Sequence, residues 1–279
     1  MFTRRFFNKM ALTYGTLASI SMANSKAYAT GHAENKKVDW PFNCDAAISF
    51  TYDDGFGSNL DFAIPDLEDH GFRGTFYLTH SIAHGRAEEW RQACRRGHEI
   101  GNHTVTHPCD KLRSYTTEEF IENETGSMEQ WLNDNIGLHG VPGRPDDSRT
   151  YAYTCGRTEL GEGSAEEAKD RYLELVRKTF WAARIGTGAP VSKKQVITNP
   201  HLIPAFVPTN AEQAIEMCNK AAQMRGWTVL VFHEVKPEKE SSLDTTSAVH
   251  QEILNHLSNN SRKFWVAPLR KVFRHITAA

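Results

Sequence analysis

The chain has 279 residues, 39% hydrophobic and 24% charged, with a formal net charge of −2. Such fractions belong to a globular protein able to bury a large core, and the length is routine for one α/β barrel. There is no basic block to bind nucleic acid, and no apolar run fit to span a membrane permanently.

The N-terminus reads as an address rather than as fold. Thr3–Lys9 contains Arg4, Arg5 and Lys9, Met10 to Ala23 is mildly apolar, and Ala27-Tyr28-Ala29 fits a small-x-small cleavage site. The arginine pair followed by Phe and a later Lys has the form of a twin-arginine export signal; a general secretory signal is the alternative. Residues 1–29 are therefore expected to be a signal peptide handled by the twin-arginine export machinery, giving a periplasmic or extracellular protein. Its removal takes four basic residues and changes the net charge from −2 to −6. Residues 30–43 read as a polar linker and 44–279 as one folded domain.

Ala46 to Tyr52 is an apolar, β-prone run that ends in Asp53-Asp54-Gly55. Successive side chains of an extended segment point to opposite sides, so one aspartate can hold a metal while the other stays free as a base. The plainer alternative is a strand-ending Asp-Gly turn. A helix follows from Asn59 to His70, then a strand from Phe72 to Leu78 and a helix from Glu88 to Arg96. His98 to Asn102 is a short strand that feeds His103-Thr104-Val105-Thr106-His107. Aspartate with two imidazoles suits zinc or a similar divalent ion. The H-x3-H spacing puts both rings on one side if the segment coils helically. Asn102 and Thr104 are placed to orient them, whereas His98 reads as structural.

Thr116 with Glu119 is a capping box for a helix running toward Asn135, weakened at Gly126. After a loop from Gly137 to Ser148, the strand from Arg149 to Thr154 leads to Cys155-Gly156. There a backbone amide can donate to an oxyanion, with Tyr153 on the substrate side. Ser164 with Glu167 caps a helix to about Lys178. The strand Phe180 to Ile185 carries Arg184, read either as a surface salt bridge or as a cation beside Asp53. Residues 186–199 look irregular, His201 to Val207 strand-like, and Asn210 caps a helix ending at Gly226. Trp227 to Phe232 is a continuous apolar run typical of a buried parallel strand. It is followed by His233, a candidate general acid because an imidazole titrates near neutrality. A helix from Thr246 to Leu257, a strand from Lys263 to Ala267 and a helix from Leu269 to Ile276 finish the chain.

The five cysteines, Cys44, Cys94, Cys109, Cys155 and Cys218, are odd in number and widely spaced. They do not resemble a disulfide scaffold and are expected to be mostly core residues. Alternating strands and helices fit a barrel or an open sheet. Asp53, Asp54, His103, Cys155, Arg184 and His233 all fall at strand C-terminal ends, which converge on one face of a barrel. The expectation is a distorted (β/α) barrel of seven or eight mostly parallel strands.

Together these residues resemble the NodB-like polysaccharide deacetylases, carbohydrate esterase family 4. That family's TFDDG motif is here Thr51-Tyr52-Asp53-Asp54-Gly55, its HxxxH motif His103 to His107, and its strand-end histidine His233. The resemblance implies Asp53 as general base, Asp54, His103 and His107 as metal ligands, and His233 as general acid. It implies a divalent metal, zinc first, with cobalt or nickel possible, and an acetylated carbohydrate as substrate. Two motifs depart from the family pattern. The third, usually Arg-x-Pro-Tyr-Gly, reads Thr154-Cys155-Gly156 at its end, and Phe180 to Arg184 stands where an aspartate followed by tryptophan is usual. The expected function is removal of N-acetyl, or else O-acetyl, groups from a glycan. The rivals are a catalytically weak carbohydrate-binding barrel and a non-haem iron oxygenase.

Overall fold

Strand β1 (Ala46–Tyr52) is the centre of the sheet and is buried along its whole length. The computed structural model describes residues 40–137, 148–186 and 188–278, so the expected signal peptide (1–29) and most of the expected linker lie outside the described residues. On one side β1 pairs in parallel with β7 (Trp227–Phe232), from Ala47↔Trp227 to Tyr52↔Phe232. On the other, its end pairs with β2 (Thr75–Leu78) and its beginning with β10 (Phe264–Val266). From β2 the sheet continues through β3 (Glu99–Asn102), β4 (Thr150–Ala152), β5 (Ala182–Ile185) and β6 (Ile203–Pro204), every pairing parallel. Just past β6, the Phe206 N–H donates to Val229 and its carbonyl accepts from Val231, both at 2.8 Å. That bridge curls the sheet round to β7, giving a distorted (β/α) barrel. A separate two-stranded ladder joins β8 (Val235–Lys236) to β9 (Thr245–Thr246).

Alternation along β1 decides what faces where. Ala46, Ile48, Phe50 and Tyr52 join one apolar cluster with Phe76, Trp90 and Phe232. Ser49 and Thr51 lie on the other face, bonded to the Ala267 and Leu230 carbonyls. Asp53 continues that second set. Deleting the Trp90 side chain from the buried cluster would cost on the order of 3–5 kcal/mol.

The second face also holds a connected set of polar groups. Glu99 accepts from Thr75 and Thr150, and the Tyr77 hydroxyl bonds Thr150 at 3.0 Å. The Arg184 guanidinium lies 4.9 Å from the Tyr77 ring centroid. A Cβ on Gly101 would come within 2.5 Å of that ring, so a glycine is what lets Tyr77 lie there.

Both expected capping boxes form, at Thr116/Glu119 and Ser164/Glu167. A third, Ser192/Gln195, opens a helix at Lys193–Thr198, where the sequence looked irregular. Its Gly- and Pro-rich approach hid a short helix whose start rests on side-chain caps. Helix Ala211–Met224 stops on Arg225, which is left-handed (φ 53°), rather than on Gly226. Gly126 follows a π-helical turn, Ile121–Thr125, and a Cβ there would sit 2.6 Å from the Ile121 carbonyl oxygen. Among the described residues no helix is long and apolar enough to cross a membrane.

Candidate active site

The turn after β1 is where the two aspartates part. Asp54 (φ 70°) and Gly55 (φ 78°) both adopt left-handed backbone, which bends the chain away immediately after Asp53. A side chain at Gly55 would press into Leu78 and Ala83, at 2.8 and 3.0 Å. Left-handed backbone at a non-glycine residue carries a steric cost, of order 1–3 kcal/mol, and such costs collect at functional sites.

Asp53 is buried and paired with the Nη2 of Arg184, itself 1% exposed. The surface-salt-bridge alternative for Arg184 is therefore excluded. Burial by itself would raise the Asp53 carboxyl, but Arg184 and then His103 outweigh it, and the net shift is downward. Asp54 goes the other way. Burial, and then the neighbouring Asp53 charge, push its carboxyl up to about 6.

Asp54 Oδ1 lies 3.7 Å from His103 Nε2 and 3.6 Å from His107 Nε2, and it is buried with no hydrogen-bond partner. Those separations are too long for hydrogen bonds. Tetrahedral ligands at about 2.0–2.2 Å from one ion would stand ~3.3–3.6 Å apart, so the three atoms fit a shared divalent cation. His103 Nδ1 donates to the Ala152 carbonyl at 2.9 Å. Because a carbonyl can only accept, that bond leaves the Nε2 lone pair facing Asp54. Burial lowers His103 to about 4 and also lowers His107, so both rings are neutral at pH 7.

The segment carrying the two histidines is not helical, contrary to the expectation from their spacing. Thr104 (φ 70°) and His107 (φ 57°) are left-handed, yet the ring centroids still come within 4.8 Å. Asn102 Oδ1 accepts the Thr104 N–H, and Thr104 Oγ1 accepts that of His107. Glu124, which sequence reading missed, fastens the loop from below. Its carboxylate accepts the Val105 and Thr106 N–H groups and the Thr106 and Tyr115 hydroxyls. No spacing in the sequence marks it: its burial, 1% exposed, and its place inside a π turn of the kind often found at functional sites are visible only in the fold.

His233 is half-buried at the end of β7, and its charge when protonated favours the ionised forms of Asp53 and Asp54. Among the described residues no hydrogen bond holds its ring. Its neighbour Glu234 accepts from Ser58 and pairs with Lys236.

These positions match a known pattern over part of the chain. The family model described as "Polysaccharide deacetylase" matches residues 43–155. Over that segment the chain is similar to the polysaccharide deacetylases. In three dimensions it is similar to a Mycobacterium smegmatis protein provisionally described as a polysaccharide deacetylase (TM-score 0.57, 17% identity, 87% of this chain and 93% of that one). It is also similar to a peptidoglycan N-acetylglucosamine deacetylase catalytic domain of Eubacterium rectale (0.51, 16%, 80% and 89%). A third likeness is to the Xyl-CE4 domain of a multidomain xylanase from the hindgut metagenome of Trinervitermes trinervoides (0.52, 16%, 82% and 89%). At these identities the likenesses establish the fold. A curated relative, the gellan lyase of a Bacillus species, is 22% identical over 92% of this chain, which spans 10% of that protein's length.

Two expectations at the rim need correction. Tyr153 does not face a substrate: it is 2% exposed and packs with Tyr151 and Tyr172 in an outer aromatic cluster. Cys155 is not unpaired. It is bonded to Cys109, across a Cα–Cα distance of 5.8 Å and 46 residues of sequence. Wide spacing hid this pair because the barrel, not the sequence, brings the loops after β3 and β4 together. Cys44, Cys94 and Cys218 take part in no disulfide among the described residues, and Cys44 and Cys218 are buried as core residues.

Proposed function

We propose that the chain is an exported, metal-dependent hydrolase that removes acetyl groups from a carbohydrate polymer, N-acetyl before O-acetyl. The observation that carries this reading is the buried, unpartnered Asp54 Oδ1 opposite two imidazole nitrogens, beside an Asp53 kept ionised by Arg184. The match of residues 43–155 to the polysaccharide deacetylase model supports the reaction class. The peptidoglycan- and xylan-related domains of the same fold support a polymeric glycan as the substrate.

In this reading Asp54, His103 and His107 hold the metal, zinc first. When bound, it would supply Lewis acidity toward the acetyl carbonyl and a water of lowered pKa. Asp53 takes the proton of the attacking water, because Arg184 keeps its carboxylate charged. His233 returns a proton to the departing amine or alkoxide. In the turn after β4 the Gly156 and Arg157 N–H groups are taken by the Tyr153 and Thr154 carbonyls, which leaves the Cys155 backbone N–H as the donor to the developing oxyanion. Arg184 remains tied to Asp53, so the base keeps its orientation through the cycle.

The deciding experiment is acetate release from a panel of acetylated glycans, using chelated and metal-restored protein. Glycan binding without acetate release would instead make the chain a carbohydrate-binding barrel. Dependence on iron and 2-oxoglutarate would move it to the oxygenases. Export rests on Thr3–Lys9. Arg4→Lys with Arg5→Lys should strand the precursor in the cytoplasm, and normal export of that variant would reject the twin-arginine route.

A further inference from the structure

We propose that the Cys109–Cys155 disulfide is a positioning device for His107, setting how tightly the Asp54–His103–His107 cluster holds its metal. The inference rests on the metal reading above and adds what fixes the third ligand. The two histidines are secured unequally. His103 is enclosed (side chain 2% exposed) and its outer nitrogen donates to the Ala152 carbonyl. His107 is 28% exposed, and the partner its outer nitrogen finds on another residue is neither a carbonyl nor a carboxylate but the Cys109 sulfur, at 3.3 Å. The rear nitrogen of a metal-binding imidazole is ordinarily held by a strong acceptor, and sulfur is a weak one. Something other than that contact has to hold the ring.

The disulfide meets the need. Cys109 follows His107 by two residues, and its N–H donates to the His107 carbonyl at 2.9 Å. The bond ties this turn to the loop after β4, three residues beyond Ala152, whose strand anchors His103. Arg157 adds a parallel tie, donating to the Cys109 carbonyl at 2.7 Å and pairing with Asp110 at 3.0 Å. Those side chains are solvent-exposed, and such pairs contribute little. With the bond in place, both histidine rings are referred to the end of one strand, β4. Without it, His107 sits on a left-handed turn secured at its own position by the Thr104 hydroxyl.

The test begins with a thiol count on the denatured, unreduced protein. Three thiols are expected, from Cys44, Cys94 and Cys218; five would overturn the proposal. Cobalt affinity is then measured by visible absorption for the parent, for Cys155→Ser, and for Cys109→Ser with Cys155→Ser. Loss of such outer supports typically costs metal sites about 10–100-fold in affinity, and a loss of that size is expected in both variants. In a His107→Ala background, where the ring to be positioned is absent, removing the disulfide should leave the weak residual affinity unchanged. Melting of the metal-free proteins, recorded in parallel, reads loop stability separately. A variant that melts lower but binds cobalt as tightly as the parent would overturn the proposal. So would tighter binding with a sulfur-to-cobalt absorption band in Cys155→Ser, which would make Cys109 a ligand. A parent that binds no cobalt would reject the metal reading itself, a result visible before any variant is made. If the serine variants do not fold, the bond can be opened in the folded parent with a water-soluble phosphine. The phosphine takes the oxygen of water and becomes its oxide, leaving two thiols, and the same fall in affinity is expected.

Discussion

The two halves of the barrel meet at Asp53 and are built by different rules. In the first, β1 to β3, each candidate ligand follows its strand directly, and local backbone settles its direction. Left-handed Asp54, Thr104 and His107 turn the ligating atoms toward one point. In the second, β4 to β7, the charged groups act across strands. Arg184 on β5 reaches Asp53 on β1, and its register partner on β4 is Ala152. Counted back from Gly156, position 152 is where the resemblance puts the third motif's arginine. Arg184 stands one strand over from that position, at the same level of the sheet. The lesson is that register can set a charge beside Asp53 from a strand where no linear motif announces it.

The largest effect expected from breaking this arrangement is at the residue both halves share. Asp53→Asn should retain metal and lose about 10²–10⁴-fold in rate, the usual cost of removing a general base. Metal analysis beside kinetics decides the matter: metal lost from Asp53→Asn and kept in Asp54→Asn would reverse the assignment of the pair.

How much of this was legible follows from the same contrast. Apolar runs ending in Asp53 and in His233 were readable to the residue, because a buried strand and its terminal charge lie together in sequence. Thr116/Glu119 and Ser164/Glu167 were readable because a capping box is local. Arg184 was ambiguous because its partner is 131 residues away. Glu124, Tyr153 and the Cys109–Cys155 bond were misread or missed for one physical reason. Each takes its role from a neighbour on another element, and no spacing within its own segment encodes that.

The first half can be tested through protons. Metal must displace the proton of Asp54, whose carboxyl burial and then Asp53 raise to about 6, whereas burial lowers His103 to about 4 and also lowers His107. Below pH 6 the proton competes, so apparent affinity should rise with pH and level off above about 6. Calorimetry in buffers of different ionisation enthalpy should find close to one proton released per metal at pH 5.5, and nearly none at pH 7.5. His103→Ala should lower metal content, and excess metal should restore part of it. Proton release that persists at pH 7.5 would mean that Asp54 is not the group being displaced.

The second half can be tested by moving its arginine. Arg184 holds the Asp53 carboxyl down, so the base is charged, and competent, to lower pH than usual. Arg184→Met removes the cation while burial still pushes the carboxyl up, so the acidic limb of kcat/KM should move up by roughly 1–3 pH units. Breaking a buried pair from one side also costs about 3–5 kcal/mol, so melting is to be followed alongside. Restoring the guanidinium as Ala152→Arg in the Arg184→Ala background should bring the limb back down. A limb that ignores both changes would show that register does not carry the charge to Asp53.

The smallest effect is expected at His233, and its size should depend on the substrate. Asp53 has Arg184 and His103 has the β4 carbonyl, but no hydrogen bond among the described residues fixes the His233 ring. Its contribution should therefore be confined to the step that needs a proton, departure of the leaving group. An amine leaving from an N-acetylated sugar must be protonated, whereas 4-nitrophenolate leaves readily as the anion. His233→Ala should accordingly lose about 10²-fold or more on N-acetylglucosamine oligomers and no more than ~3-fold on 4-nitrophenyl acetate, with metal content unchanged. Equal losses on both substrates would instead place His233 with Asp53, acting on the attacking water. That result would make the second half of the barrel a single base-supporting unit rather than separate base and acid arms.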